Sequence, residues 1–314
     1  MSGLKDSSIA KIIQRVLILG HSGYIGSHLY RFLLEKHPGV EVIGQSFPPL
    51  DLTKEDEAMS LSDLFDLNTA VIMCSAIKKQ YGDSLDIFLQ NMAMVTNVCR
   101  LLQKRPVRRF VYFSSAEVYG ESVHNTNITE ETPVQPSSYY GIAKYTSEGL
   151  FRKVFERQED SSLLILRPTL VYGPGEQGTF YGPSGFVRTA LSGNPIILWG
   201  DGEELREFVY IDDLVGSVIR LTFHEYDGVV NIVSGQSHTF KEALEIISRL
   251  MPFAIQTSSR PRTRSKVDQA YSNKLLTKLL PDIFFCSLEE GIKHVFDAEY
   301  QVIGRDRHAG GEES

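Results

Sequence analysis

The stretch Val16–Gly26, with the sequence VLILGHSGYIG, decides the fold. Its first four residues are apolar and stop at Gly20, a pattern typical of a short, buried parallel strand. Gly23 and Gly26 follow at three-residue intervals, and apolar residues then recur with helical spacing as far as Leu33. The stretch therefore predicts a strand, a tight glycine turn and a helix.

Glycines at such a junction permit a tight turn and let a pyrophosphate approach the amino end of the helix, where N–H groups and the helix dipole favour anions. The spacing here is G-x-x-G-x-x-G, which differs from the common G-x-G-x-x-G pattern. A glycine turn without a ligand is the alternative. The strand and helix on either side favour dinucleotide binding.

Strand-like and helix-like segments alternate along the rest of the chain. Further apolar runs typical of strands occupy residues 40–43, 70–73, 110–113, 163–166 and 208–211, and long helical stretches occupy 85–103 and 138–156. Such alternation predicts an α/β fold, a doubly wound parallel sheet of the Rossmann type, with a smaller C-terminal substrate domain.

The domain boundaries follow from a change in composition after Pro168, where glycine and proline become frequent. We expect a dinucleotide-binding domain at 12–167 with a returning segment at 208–232, a substrate-binding domain at 168–207 and 233–303, and flexible tails at 1–11 and 304–314. Three sequences that resemble capping boxes, at 53–56, 239–242 and 287–290, are predicted to open helices.

Composition excludes several classes of protein. The 314 residues carry a net charge of -7 without a basic stripe, which argues against nucleic-acid binding. The three cysteines lack metal-ligand or redox spacing, and a reducing compartment suits them best. Neither a signal-peptide pattern nor an apolar run long enough to span a membrane is present. We therefore expect a cytoplasmic protein without a metal site or a membrane partner.

Tyr140 and Lys144 are one turn apart if residues 138–156 form a helix, and so share a helix face. A free tyrosine has a pKa near ~10 and is a poor base at neutral pH. An ammonium group nearby favours the phenolate, so we expect Lys144 to lower the pKa of Tyr140 and fit it for proton transfer. Taken alone, the pair could also be a chance match on a solvated helix face.

Several motifs, taken in chain order, resemble those of the extended short-chain dehydrogenase/reductase family, the nucleotide-sugar epimerases, dehydratases and reductases. The resemblance covers about residues 12 to 295. It rests on the glycine stretch and on Phe113–Gly120 (FSSAEVYG), Tyr140–Lys144 (YGIAK), Leu166–Pro168 (LRP), Val171–Pro174 (VYGP) and Arg206–Asp213 (REFVYIDD).

The resemblance implies a catalytic set of Ser115, Tyr140, Lys144 and Glu117. Tyr140 would be the acid/base, Lys144 would also hold the nicotinamide ribose, and Ser115 would bond the reacting oxygen. Ser114 and Tyr139 are the neighbouring alternatives, and spacing favours Ser115 and Tyr140. Glu117 matches a glutamate of the family's dehydratases, but the aspartate expected before it is Ala116, which makes dehydration an unfavoured reaction.

The resemblance also implies NAD or NADP as the cofactor. Its binding set would be Gly20, Gly23, Tyr24, Ile25, Gly26, Asp51, Leu52, Ser75, Ala76, Asn91, Tyr140, Lys144 and Arg167. A carboxylate at the end of the second strand would favour NAD and an arginine NADP, but the residues after Ile43 are GQSF. The choice between the two nucleotides stays open.

The implied substrate is a nucleotide-diphosphate sugar, bound by Ser115, Arg206 and Arg260. Arg206 matches an arginine that holds the diphosphate, and Arg260 lies in a late motif with the same task. Two positions depart from the family pattern: Thr263 replaces an aspartate, and Leu170 replaces an asparagine.

These features predict an epimerase that acts through a transient keto-sugar. A one-way NADPH-dependent reductase of keto-sugar nucleotides is the alternative, and a non-catalytic NAD(P)-binding sensor is a third reading. The family resemblance further implies a homodimer formed by two helices of each subunit, one of which carries Tyr140.

Overall fold

The computed structural model describes residues 9, 12–177, 182–262 and 265–309, with side chains described as far as residue 302. Thirteen strands are found in this part of the chain. They are β1 (Arg15–Leu19), β2 (Glu41–Gln45), β3 (Thr69–Met73), β4 (Arg109–Phe113), β5 (Asn125–Ile128), β6 (Ser162–Pro168), β7 (Leu170–Tyr172), β8 (Ile196–Trp199), β9 (Leu205–Tyr210), β10 (Gly228–Ile232), β11 (Ser237–Thr239), β12 (Thr257–Arg260) and β13 (Gln269–Tyr271).

Nine α-helices and three short 3₁₀ helices connect these strands within the described residues. The α-helices are α1 (Tyr24–Lys36), α2 (Glu55–Met59), α3 (Leu85–Lys104), α4 (Tyr139–Phe155), α5 (Gly182–Leu191), α6 (Ile211–Thr222), α7 (Phe240–Leu250), α8 (Lys274–Leu279) and α9 (Leu288–Ala309). The 3₁₀ helices are Ser60–Leu64, Lys79–Tyr81 and Ala116–Tyr119. No described helix is long and apolar enough to cross a membrane.

The central sheet has six parallel strands in the order β10-β6-β4-β3-β1-β2. Successive side chains of a strand point to opposite faces, and in β1 Val16 and Ile18 enter one apolar cluster while Leu17 and Leu19 enter another. α1 and α6 pack together on one face, and α3 and α4 on the other. The predicted doubly wound parallel sheet is confirmed.

The smaller part of the molecule is built on short sheets. β9 lies between β7 and β11 in a three-stranded sheet, and β8–β12 and β5–β13 form two-stranded sheets. Helices α5, α7 and α9 pack on one another beside them. The returning segment predicted from residue 208 therefore begins in the small sheet, and it joins the large one only through α6 and β10.

Of the three predicted capping boxes, two are present in the structure and one is not. Thr239 and Glu242 exchange hydrogen bonds at the start of α7, and Ser287 and Glu290 do so before α9. The box predicted at Thr53 is wrong, because α2 begins at Glu55. The Thr53 hydroxyl instead donates to Asp51 Oδ1 over 2.7 Å, a local turn bond that competes with helix capping.

The predicted tails fall mostly outside the described residues. Of residues 1–11 only Ile9 is described, and residues 310–314 are not. The C-terminal tail was expected to begin at residue 304, but α9 continues to Ala309. A glycine inside a helix, such as Gly304, costs about 1 kcal/mol relative to alanine and does not by itself end the helix.

Candidate active site

The turn after β1 has the shape that its glycines predict. Gly20 has φ +94°, a conformation that side chains disfavour, and its N–H donates to the Gln45 carbonyl over 2.7 Å. At Gly26, a Cβ atom would lie 2.2 Å from the Gly20 carbonyl oxygen. The turn can therefore pack against the first turn of α1 only with glycine at position 26.

The amino end of α1 is open to an anion. Gly23 is its N-cap, and among the described residues no side chain caps it. The first N–H groups of a helix have no partner inside the helix, and the helix dipole is positive there. A phosphate group would satisfy both.

A cavity of about 1320 Å³ runs along the carboxyl ends of the strands. It passes the gap between β1 and β3, where the strand order reverses and ligands of doubly wound sheets bind. Most of the predicted site residues line it: Gly20, Gly23, Tyr24, Ile25, Gly26, Asp51, Leu52, Ser75, Ala76, Ser115, Glu117, Tyr140, Lys144 and Arg206.

Tyr140 and Lys144 project from the first turns of α4, as the helix prediction required. The Ser138 side chain caps this helix by accepting a hydrogen bond from the Gly141 N–H over 3.0 Å. Tyr140 and Ser115 both line the cavity, and Ser115 Oγ accepts from the Glu117 N–H over 3.2 Å. The structure thus brings these side chains together at the end of β4.

Lys144 is buried below Tyr140. Its Nζ donates to the Phe113 carbonyl over 2.6 Å and lies 5.6 Å from the centre of the Tyr140 ring. Burial lowers the pKa of Lys144 to about 8, so the side chain is mainly charged at neutral pH.

The expected lowering of the Tyr140 pKa is wrong. Burial raises the pKa of Tyr140, the charge of Glu117 raises it further, and only the hydrogen bond with Ser115 opposes them. Desolvation of a phenolate outweighs the help of a cation whose strongest contact is the Phe113 carbonyl. The resting form of Tyr140 at neutral pH is the protonated phenol.

Glu117 lies on the same wall as Tyr140. Its Oε2 accepts a hydrogen bond from Ser138 Oγ over 3.2 Å, and Lys79 Nζ lies 3.8 Å away. Burial, together with a hydrogen bond and charge from Glu121, raises the pKa of Glu117 to about 7. The carboxyl can therefore exist in both protonation states near neutral pH.

Three predicted site residues lie outside the described lining of the cavity. Asn91 holds the loop after β3, since its side chain accepts from the Ile77 N–H over 2.8 Å and donates to the Ile77 carbonyl over 3.1 Å. Ile77 itself lines the cavity, so Asn91 holds a part of the cavity wall in place. Arg167 is buried in an ion pair with Glu148 at 2.7 Å, and it holds α4 on β6 rather than touching a ligand.

Arg260 is exposed at the end of β12 and does not line the cavity, whereas Arg262 lines it. Residues two apart in a strand share a face, but β12 ends at Arg260, so the position of Arg262 is set by the path of the chain after the strand and not by strand alternation. Thr263, the departure noted beside it, lies outside the described residues.

The far end of the cavity carries two arginines around one carboxylate. Arg206 Nη2 lies 3.1 Å from Glu204 Oε2, and Arg262 Nε lies 3.6 Å from Glu204 Oε1. Arg206 also donates to the Leu205 and Val267 carbonyls. Trp199, which is 47% exposed, lines the same end.

The sequence prediction did not select several of these cavity residues. These residues are Lys79, Glu121, Trp199, Glu204 and Arg262. The one available signal was Glu121, which follows the FSSAEVYG motif directly and shares its turn with Glu117. The others come from loops whose path to the cavity is set by the tertiary fold.

The residues present fit a dinucleotide. The open amino end of α1, the tight contact at Gly26, and the buried Lys144 beyond it lie along one cavity. A pyrophosphate would fit at the amino end of α1, and a nicotinamide ribose would fit beside Lys144. Among the described residues, no group of histidine, cysteine, aspartate and glutamate could hold a metal ion.

Comparison with known proteins agrees with this site. The model of the NAD dependent epimerase/dehydratase family matches residues 16–233. The chain is 26% identical to a putative UDP-glucose 4-epimerase of Methanocaldococcus jannaschii, over 89% of this chain and 96% of that protein. It is 26% identical to GDP-6-deoxy-D-mannose reductase of Pseudomonas aeruginosa, over 82% and 86%.

A solved structure has the same fold. UDP-glucuronic acid 4-epimerase from Bacillus cereus, in complex with UDP-glucuronic acid and NAD, superposes with a TM-score of 0.80. It is 20% identical and the match covers 92% of this chain and 99% of that chain. At this identity the likeness establishes the fold.

Proposed function

The chain belongs to the NAD dependent epimerase/dehydratase family, and from this premise we propose that it is an NAD(P)-dependent epimerase of a nucleotide sugar. The observation that carries the proposal is the placement of Tyr140, Ser115 and buried Lys144 in one cavity with the open amino end of α1, with Lys144 Nζ 5.6 Å from the centre of the Tyr140 ring. A sensor that only bound the nucleotide would have no use for this arrangement.

The cofactor supplies a hydride acceptor and donor when it is bound. Gly20, Gly23 and Gly26 would hold its pyrophosphate, and Asp51 and Leu52 would contact the adenosine end. Lys144 would hold the nicotinamide ribose. Ser46 and Phe47, which follow β2 in the cavity wall, carry no charge that selects NAD or NADP.

Tyr140 would move the proton of the reacting sugar hydroxyl. It would take this proton during oxidation to a keto-sugar and return it when the ketone is reduced on its other face. The Lys144 ammonium, 5.6 Å from the centre of the Tyr140 ring, would stabilise the phenolate once it forms, and Ser115 would hold the reacting oxygen. Because Tyr140 rests as the phenol, it can donate directly in the reduction step, whereas in the oxidation step it must first lose its own proton to accept that of the sugar hydroxyl.

Arg206 and Arg262 would bind the diphosphate at the far end of the cavity. Arg206 pairs with Glu204, and Arg262 pairs most closely with Asp201 and lies 3.6 Å from Glu204, so the diphosphate would share or replace these carboxylates as partners. This pairing keeps both guanidinium groups in place before the substrate arrives. The nucleotide and the sugar are not specified by these contacts.

A one-way reductase of keto-sugar nucleotides is the second candidate. It would use the same residues with Tyr140 as the acid. The end of β2 is compatible with it, because no carboxylate stands there to repel the 2′-phosphate of NADPH. One relative by sequence is a GDP-6-deoxy-D-mannose reductase.

The nucleotide released on denaturation of freshly purified protein, identified by mass spectrometry, tests the proposal. NAD near one equivalent is expected, because an epimerase regenerates its cofactor in each turnover. NADP(H), or an empty protein that binds NADPH on addition, would support the reductase instead. A protein that binds neither nucleotide at millimolar concentration would contradict both.

We also propose a homodimer that forms through α3 and α4. These helices pack on each other and leave large apolar side chains exposed, among them Leu85 and Leu89 on α3, and Ile142 and Tyr145 on α4. The spacing of each pair places both of its members on one helix face. A second copy of this face would cover them.

A further inference from the structure

Two carboxyl groups and one ammonium group meet on the cavity wall beside Tyr140. Lys79 comes from the 3₁₀ helix after β3, Glu117 from the 3₁₀ helix after β4, and Glu121 from the turn that follows it. All three line the cavity, and about a third or less of each side chain is exposed. Lys79 Nζ contacts Glu121 Oε1 closely and stands 3.8 Å from Glu117 Oε2.

The charges of this cluster do not balance if both carboxyls are ionised. Two carboxylates that share one cation in a partly dry cavity repel each other, so one of them tends to keep a proton. Lys79 is in direct contact with Glu121, which stabilises the negative charge on that residue. Because Lys79 lies closer to Glu121 than to Glu117, a proton shared by the two carboxyls is favoured on Glu117.

The other groups that face Glu117 are few. Ser138 Oγ donates a hydrogen bond to Glu117 Oε2. The charge of Glu117 raises the pKa of Tyr140, on α4, and that of Tyr271, on β13. Burial is the largest cause of its raised pKa, Glu121 is the next, and Lys79 and Ser138 act in the opposite direction. Among these neighbours, Glu121 therefore contributes most to keeping the Glu117 carboxyl protonated.

We propose that Glu121 and Lys79 are positioning residues for Glu117. The Glu121 carboxylate, fixed by Lys79, keeps the Glu117 carboxyl protonated beside Tyr140, where it offers a hydrogen bond and a proton to an oxygen of the bound sugar. The role of Glu117 towards the sugar rests on the proposed function, whereas the protonation of Glu117 is independent of that function.

In this arrangement Glu117 would be a second acid/base group in the site, with a pH optimum different from that of Tyr140. Below about pH 7 Glu117 donates, and above it the carboxylate accepts and repels negative charge on the substrate. Substrates with a neutral hydroxyl near the reacting carbon would then be favoured over those with a carboxylate there as the pH rises.

Carbon-13 NMR of protein labelled at the glutamate carboxyl carbon tests the proposal without any substrate. The Glu117 resonance is identified by its loss in Glu117→Gln, and its chemical shift is followed from pH 4 to pH 9. We expect a midpoint near pH 7 in the native chain, and a midpoint lower by about one pH unit in Glu121→Gln. A native midpoint below pH 5, or no change in Glu121→Gln, would overturn the proposal.

Lys79→Met provides a second, opposite readout. Removal of the ammonium leaves two carboxyls without their cation, so the Glu117 midpoint should rise. A variant that merely loosened the loop would expose Glu117 and lower its midpoint, which would also overturn the proposal. Glu131→Gln, an exposed glutamate outside the cluster, is the matched control and should leave the midpoint unchanged.

Turnover separates this proposal from the proposed function. If a nucleotide sugar is converted, the pH dependence of kcat should shift in Glu121→Gln in the same direction as the NMR midpoint. If the native chain converts none while its Glu117 midpoint is near pH 7, the proposed function fails and the positioning role of Glu121 stands. A normal kcat profile in Glu121→Gln, with a shifted NMR midpoint, would remove the role of Glu117 towards the sugar.

Discussion

At the scale of single residues, burial determines how Tyr140 and Lys144 behave. Both side chains lose water, and each pKa moves toward the neutral form: that of Tyr140 upwards and that of Lys144 down to about 8. The cation is kept because Phe113 accepts its hydrogen bond over 2.6 Å. The protein therefore keeps the buried positive charge of Lys144, which lowers the stability of the fold, at the position where the proposed reaction uses it.

Replacement of Lys144 by methionine should stabilise the fold. The displaced pKa corresponds to roughly 3 kcal/mol of destabilisation when the lysine is charged, less the lost hydrogen bond of about 1 kcal/mol. Urea unfolding of Lys144→Met at pH 7 should show a gain of about 1–2 kcal/mol, with activity lost.

The pH dependence has a definite sign. The folded pKa lies below the unfolded one, so the unfolded chain binds more protons between about pH 8 and pH 10.5 and the native protein gains stability through that window. The advantage of the variant should shrink there. Lys153→Met, an exposed lysine of the same helix, is the control. A less stable Lys144→Met at pH 7 would contradict the account.

At the scale of secondary-structure elements, a buried polar network fastens α4 to the sheet. Glu148 is fully buried and accepts hydrogen bonds from Ser114 Oγ (2.6 Å) and from Arg167 Nη2 (2.7 Å). Arg167 Nη1 also donates to the Tyr119 hydroxyl over 2.9 Å. Because α4 carries Tyr140, the network fixes the helix on which the proposed chemistry depends.

Loss of Arg167 should be costly. Arg167→Met leaves the Glu148 carboxylate buried with a single, partly exposed cation, Arg152. We expect a loss of about 3–5 kcal/mol in the free energy of unfolding, measured by urea denaturation. Arg152→Met removes the outer partner and should cost about 1 kcal/mol or less. Equal effects of the two substitutions would show that the network is not what holds α4.

The glycine turn offers a test with a matched substitution. Gly26→Ala places a Cβ atom 2.2 Å from the Gly20 carbonyl, so the turn must open; nucleotide binding, measured by calorimetry, should be lost. Gly149→Ala in α4 meets nothing within 4 Å and should stabilise the helix by about 0.5–1 kcal/mol with normal binding. Unchanged binding in Gly26→Ala would place the nucleotide elsewhere.

The sequence predicts elements better than it predicts contacts between them. Period and capping identify β1, α4 and the position of Tyr140, because these signals are local. The pKa of Tyr140 and the placement of Arg167 and Arg260 were not accessible in this way. Desolvation depends on the whole core, and the face on which Arg260 lies depends on the pairing of β12 with β8. A sequence motif identifies the type of residue at a position, but the fold determines what surrounds that residue.

At the scale of the whole molecule, the exposed apolar face of α3 and α4 predicts self-association. The double variant Leu89→Arg/Ile142→Arg puts charge on both helices of that face, so it should be a monomer by light scattering while the native chain is a dimer. Leu34→Arg, at an equally exposed position on α1, should stay dimeric. A native chain that is monomeric at micromolar concentration would reject the dimer.

The measurement that tests the central claim most directly is turnover of Tyr140→Phe against Tyr139→Phe. Each protein is incubated with NAD and a panel of UDP- and GDP-hexoses, and the epimers formed are followed by proton NMR. Loss of the Tyr140 hydroxyl should reduce the rate by about 10²–10⁴-fold with the fold intact, because the acid/base group is gone. Tyr139, which is 41% exposed, should be dispensable. Conversion by Tyr140→Phe at the native rate would contradict the assignment of Tyr140 and the mechanism built on it.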